Sequence, residues 1–190
     1  MEKKNNSFKD FVAPILVLVV ICFIVTFALA FTYGITKPII DKNTAAAADK
    51  TRTELLSDAD SFKKFDGKLV ELEKGKVFVT DCYVADNGTG MVCTVKSNSY
   101  GGLLTAMIGI DKSGAVTAVK VTEAADTPGV GTKAQDAGHL KQYKGQTELT
   151  TDVKADPNVN AVSGATISSS AVHKAVACAL MQFEKMGGIA

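Results

Sequence analysis

The hydropathy pattern begins with an unbroken apolar run, FVAPILVLVVICFIVTFALAFTY, from Phe11 to Tyr33, with no charged residue in it. A helix of that length rises roughly 34 Å, enough for a hydrocarbon core of about 30 Å. No polar face interrupts it. The pattern therefore predicts a transmembrane helix over 11–33, a short tail at 1–10 and a linker at 34–45, where Pro38 disfavours helix at Lys37. A cleaved signal peptide competes with this, with Ala28-Leu29-Ala30 as its cleavage site. Apolar residues continue through Phe31 and Tyr33, which favours an uncleaved anchor. Lys3, Lys4 and Lys9 precede the span and Lys37, Lys42, Lys50 and Arg52 follow it, so charge gives almost no orientation bias. A short tail before a long domain is consistent with export of that domain.

Residues 46–190 read as one domain. AAAADKTRTELLSDADSFKKF, rich in Ala and charge, predicts a surface helix. The pattern then turns to β. VFVTDCYVA (77–85) is β-branched and aromatic, Asp86-Asn87-Gly88 supplies a tight turn, and MVCTVK (91–96) returns. Tyr100-Gly101-Gly102 breaks the chain before LLTAMIGI (103–110), a buried strand. Asp111-Lys112-Ser113-Gly114 is another turn and AVTAVKVT (115–122) a further strand. In the last segment Val172, Ala175, Val176, Ala179, Leu180, Phe183 and Met186 fall on one helical stripe, stopped by Gly187-Gly188. Hairpins followed by a helix give an α+β class: one N-terminal transmembrane helix, then a largely antiparallel sheet with flanking helices.

Composition narrows the chemistry. The formal net charge is +1 with Lys and Arg dispersed, which argues against nucleic acid. Four cysteines without a CxxC pair, and only two histidines, supply no zinc or iron–sulfur spacing, so no metal site is expected. Cys82 and Cys93 flank a hairpin turn and are either a disulfide or buried thiols. GxSxG is absent and no catalytic acid or base stands out, so no catalytic residue is assigned. His139 is expected in a structural or exposed loop role and His173 on a solvated helix face. Tyr100 is expected at a strand edge, with stacking on a ring as the alternative.

Two loops carry the candidate chemistry. In VSGATISSSAV (162–172) Ser163 is placed to cap the last helix, while Gly164 and Ala165 keep side-chain bulk from the backbone. Free N–H groups and the helix dipole at such a start suit an anion, and Thr166 puts a hydroxyl in the same turn. The residues alone fit either a phosphate site or a Ser-rich cap with no ligand. The second loop is Asp126-Thr127-Pro128-Gly129-Val130-Gly131, whose proline and glycines permit a tight turn and close backbone approach.

TPGVG followed some thirty residues later by SGATISS, behind one N-terminal span, resembles the FMN-binding domain of the G subunit of the Rnf electron-transport complex and the C subunit of the sodium-pumping NADH:quinone reductase. The resemblance covers most of the chain, and the modest length is closer to the Rnf subunit. It implies FMN held covalently, its phosphate esterified to Thr166 by a flavin transferase that uses FAD as donor. Ser163, Gly164, Ala165, Ser168, Thr127, Gly129, Val130 and Gly131 are the further cofactor-binding residues it implies. The implied function is electron transfer within an ion-translocating ferredoxin:NAD oxidoreductase, beside other Rnf membrane and iron–sulfur subunits. The implied location is the cell membrane, single-pass, with the domain on the extracytoplasmic side. The alternatives are the quinone reductase, another extracytoplasmic reductase, or a non-redox anchored binding module. The chain departs from the family pattern at Asn160, where Asp is frequent, and at Ala124 and Asp126, where His and Glu are frequent.

Overall fold

In the computed structural model, which describes residues 7–188, helix α1 runs from Ser7 to Leu55. Of the tail expected at 1–10, residues 1–6 lie outside the described residues, and Ser7–Asp10 already belong to α1. The linker expected at 34–45 is helical instead, with Pro38 inside the helix. A proline there removes one N–H bond and presses on the carbonyl four residues back. That residue is Gly34, whose missing side chain leaves open space. Ala45–Ala48 follow, and alanine is the best helix former. α1 is long and apolar enough to cross a membrane, and its large apolar side chains from Ile15 to Ile40 are exposed. Exposed apolar surface on that scale marks a membrane or partner contact.

Two units divide the chain, Met1–Ala48 and Asp49–Ala190. In the second, β1 (Phe62–Lys64), β2 (Glu71–Glu73), β3 (Val77–Ala85), β4 (Gly90–Ser99), β5 (Gly102–Asp111) and β6 (Val116–Glu123) form one antiparallel sheet in the order β1-β3-β4-β5-β6, with β2 also paired to β3. Residues expected as strands at 77–85, 91–96, 103–110 and 115–122 fall almost wholly within β3 to β6. The helix expected in the Ala-rich segment stops at Leu55, and Phe62-Lys63-Lys64 of its tail forms the short edge strand β1 instead.

Alternation along the strands separates two faces. Met91, Cys93 and Val95 of β4, with Leu104, Ala106, Ile108 and Ile110 of β5, pack on one side with helix α3 (Thr166–Lys185). Val92 and Met107 point the other way and cover Leu55 and Leu56. On that side the Thr117 hydroxyl donates to Leu55 O at 2.6 Å, and the Arg52 guanidinium lies 3.6 Å over the Tyr83 ring. Between β6 and α3 come a 3₁₀ turn (Gly131–Gln135), helix α2 (Ala137–Leu140) and a second 3₁₀ turn (Lys141–Tyr143). Cys82 and Cys93 sit opposite each other on β3 and β4 as free thiols, Sγ to Sγ 3.1 Å, and no disulfide joins them.

Candidate functional site

Three turns meet beyond the end of β4. The first joins β4 to β5: Ser99 pairs with Gly102, leaving Tyr100 and Gly101 as the tip. The second spans Thr127–Val130, closed by the Val130 N–H donating to Thr127 O at 3.2 Å. Pro128 and Gly129 take its two central positions. Gly129 has φ +76°, the sign that the second central position of a type II turn demands. The third spans Val162–Ala165, closed by Ala165 N–H to Val162 O at 3.0 Å, with Gly164 at φ +79° in the equivalent place. The Ser169 hydroxyl accepts the Val162 N–H at 2.9 Å and so holds this turn against the helix it leads into.

α3 starts at Thr166 and its cap residue is Ala165, which makes no side-chain cap bond. The cap expected from Ser163 is therefore not made: Ser163 is exposed at the corner of the turn. The Ser169 N–H bonds back to Ala165 O at 2.9 Å. The N–H groups of Thr166, Ile167 and Ser168 come before it, in the turn for which a helix has no backbone acceptor. They carry the positive end of the helix dipole.

The turns enclose a cavity of about 430 Å³, a size usual for small-molecule sites. Of the residues expected to bind a cofactor, the structure brings Thr127, Val130, Gly131, Gly164, Ala165, Thr166 and Ser168 onto its wall. Gly129 and Ser163 shape the turns without lining it. Tyr100 and Ile167 complete the lining, and both are largely exposed. Tyr100 is thus a wall of the cavity as well as a strand-end residue. Thr166 is half-buried and reaches the cavity from the first position of α3.

Among the described residues, no acidic or basic side chain lines this cavity. One lies directly behind it. The buried Asp126 carboxylate accepts the Ser99 hydroxyl (2.6 Å), the Gly101 N–H (2.8 Å) and the Gln135 amide (2.6 Å). Burial pushes this carboxyl up, but the bonds from Ser99, Gly101, Ser168 and Gln135 outweigh it and hold it below the ordinary carboxylate range. Gly131 fits tightly over it: a Cβ there would come 2.7 Å from Asp126 Cβ and 2.8 Å from Ser168 Oγ. The sequence places Asp126 in the second candidate loop, at a departure from the family pattern, but not among the expected cofactor-binding residues. Its hydrogen-bond partners Ser99, Gly101 and Gln135 lie 9 to 27 residues away, and the signals in the sequence were an acidic residue beside a Pro-Gly turn and its place in the family pattern.

His173 overturns its expectation. It is buried in α3, and its Nε2–H donates to Thr150 O at 2.7 Å, with Asp156 Oδ2 at 3.8 Å. Burial pulls its pKa down despite these acceptors, so the ring is neutral. It fastens the 150–156 loop to α3 and does not line the cavity. His139 is half-buried and bonds Gln142 at 2.9 Å. Among the described residues no group of three or more His, Cys, Asp or Glu side chains is placed to hold a metal ion.

Residues 99–181 match the model of the FMN-binding domain. The chain is 29% identical over 178 residues to the G subunit of the proton-translocating ferredoxin:NAD(+) oxidoreductase complex of Clostridium ljungdahlii. It is 27% identical over 188 residues to the G subunit of the Na(+)-translocating ferredoxin:NAD(+) oxidoreductase complex of Acetobacterium woodii. Both matches cover 90% of this chain and 90% of the relative. The crystal structure of Shewanella oneidensis NqrC is similar over 55% of this chain and 57% of that one, at 21% identity and a TM-score of 0.45.

Proposed function

From the match of residues 99–181 to the FMN-binding domain and the likeness to two Rnf G subunits, we propose that the chain belongs with these G subunits and is a membrane-anchored flavoprotein subunit. FMN is joined through its phosphate to Thr166, and the subunit passes electrons within an ion-translocating ferredoxin:NAD oxidoreductase complex. Match length supports the Rnf assignment, since the G-subunit relatives align over nine-tenths of both chains. The apolar segment of α1 anchors the chain as a single span, with the domain on the extracytoplasmic side. Its partners are the other membrane and iron–sulfur subunits of the complex, and a flavin transferase for maturation.

One observation carries the attachment: Thr166 lines the cavity at the first position of a helix that has no side-chain cap. A transferase would form the Oγ–P bond and break the pyrophosphate of FAD, releasing AMP while Thr166 gives up its proton. The resulting phosphodiester carries about one negative charge, which the amides of the first turn and the helix dipole accommodate. The residues present fit the group. Val130, Ala165 and Ile167 offer apolar surface to a ring, Tyr100 an aromatic face, and Gly164 leaves the approach to Thr166 free of side chain. FMN, when bound, supplies the redox chemistry, while the protein binds and orients it. Outside the cytoplasm free FMN is scarce, and an ester prevents irreversible loss.

Full-length protein co-expressed with a flavin transferase and denatured in SDS should remain fluorescent in the gel, and Thr166→Val should abolish the band. Fluorescence retained by the variant would move the attachment elsewhere. Fluorescence lost from the wild type on denaturation would remove the covalent bond from the proposal.

A further inference from the structure

The Asp126 carboxylate bonds the β4–β5 hairpin and the 3₁₀ turn after the Pro-Gly loop and lies beside the first turn of α3, yet it is not among the residues that line the cavity. Its Oδ1 accepts the Gly101 amide at the tip of the β4–β5 hairpin. Its Oδ2 accepts the Ser99 hydroxyl from the end of β4 and the Gln135 side chain from the 3₁₀ turn that follows the Pro-Gly loop. Ser168, in the first turn of α3, lies beside it: a Cβ placed on Gly131 would meet Ser168 Oγ at 2.8 Å and Asp126 Cγ at 3.2 Å. The approach is close. A Cβ on Gly101 would meet Ala125 O at 2.1 Å, and one on Gly131 would meet Asp126 Cβ at 2.7 Å. Few large apolar contacts hold these turns, since Tyr100 and Val130 are exposed. The carboxylate is therefore the shared fastening of three segments that are distant in sequence.

We propose that Asp126 is the positioning residue of this site. Its carboxylate clasps the Tyr100-Gly101 tip, the Thr127–Gly131 loop and the start of α3 into one wall, and its charge behind that wall lowers the reduction potential of the flavin. The second half rests on the flavin reading given above; the first half does not. Reduction adds negative charge to the ring, and a fixed carboxylate one residue layer away opposes it. Among the described residues, no Lys or Arg on the cavity wall offsets that charge.

Two substitutions separate the halves. Asp126→Ala removes the clasp. Asp126→Asn removes the charge and keeps the shape, with one acceptor oxygen still available. Hydrogen exchange is measured by mass spectrometry on the full chain in detergent, without flavin, so its outcome does not depend on cofactor loading. Asp126→Ala should accelerate exchange about tenfold or more in three separate peptides, covering 99–102, 127–131 and 165–169, the last reporting the bonded amides of Ala165 and Ser169, while Val95 and Ile108 keep wild-type protection. Acceleration confined to the 125–127 turn, or spread evenly through β3 to β5, would overturn the clasp. The midpoint potential is read on flavin-loaded protein. Asp126→Asn should shift it positive, and an unchanged potential would overturn the electrostatic half. A wild-type chain that takes up no flavin at all would remove the flavin reading and the electrostatic half together, and leave the clasp to be decided by exchange.

Discussion

The middle of α3 and its first turn are parts of one helix in opposite surroundings. From Ala171 to Leu180 nearly every residue is buried against β3, β4 and β5, with Ala171, Ala175 and Ala179 small enough for close approach to the sheet. At Thr166 and Ile167 the same helix stands open at a cavity whose other walls are turns. The first region is held by apolar area and shape, which fix the helix axis. The second is held by hydrogen bonds to a few shared groups, Asp126 and the Ser169 hydroxyl above all. A rigid platform thus places Thr166, the proposed attachment point, at the cavity, where its half-exposed side chain adds little to stability. Chemistry and stability should then separate by mutation.

The largest expected effect lies in the platform. Ile108 is completely buried in β5, so Ile108→Ala should lower unfolding stability by about 2–5 kcal/mol, seen as a lower urea midpoint with an unchanged m-value. A loss below about 1 kcal/mol would mean that the β5–α3 interface is not packed as described.

His173 should come next. His173→Leu leaves the Thr150 carbonyl without its donor and should cost about 1–3 kcal/mol. It also has a pH signature. The folded pKa of His173 lies below its unfolded value of about 6.5, so the unfolded chain binds the proton more readily. Stability is therefore fully present above pH ~6.5 and falls as the pH drops through the lower folded value. Asp126 and Asp156, also held low in the fold, add to the acid loss at still lower pH. A urea series at several pH values should show the slope just below pH ~6.5 flattened in His173→Leu. An unchanged slope would assign that pH dependence to another group.

The smallest effect on stability, and the largest on chemistry, should come from Thr166→Val. Thr166 is only half-buried, so stability should change by no more than about 0.5 kcal/mol while flavin retention disappears. A loss above about 2 kcal/mol would erase the contrast between the two parts of α3.

Much of the platform was legible in the sequence because its signals are local. β-branched runs and Asp-Asn-Gly or Asp-Lys-Ser-Gly turns mark β3 to β6 within a few residues, and the apolar stripe from Val172 to Leu180 marks α3. The three-residue strands β1 and β2 are too short to show a period, and the Ala-rich segment changes from helix to strand without a proline or glycine at the break. Pro38 signals a boundary that strong helix formers on its C-terminal side override. His173 sits beside the stripe and belongs to it only because the 150–156 loop closes over that face. Most of the residues expected at the site do meet at one cavity, since each motif is contiguous. Asp126 was not readable as a hub, because Ser99, Gly101 and Gln135 reach it through tertiary folding alone.

The measurement closest to the central claim is the intact mass, with peptide mapping, of full-length protein purified after co-expression with a flavin transferase. The expected result is the bare chain plus one FMN phosphoester, located on the peptide that contains Thr166 and absent from Thr166→Val. A wild-type mass equal to that of the bare chain would contradict it.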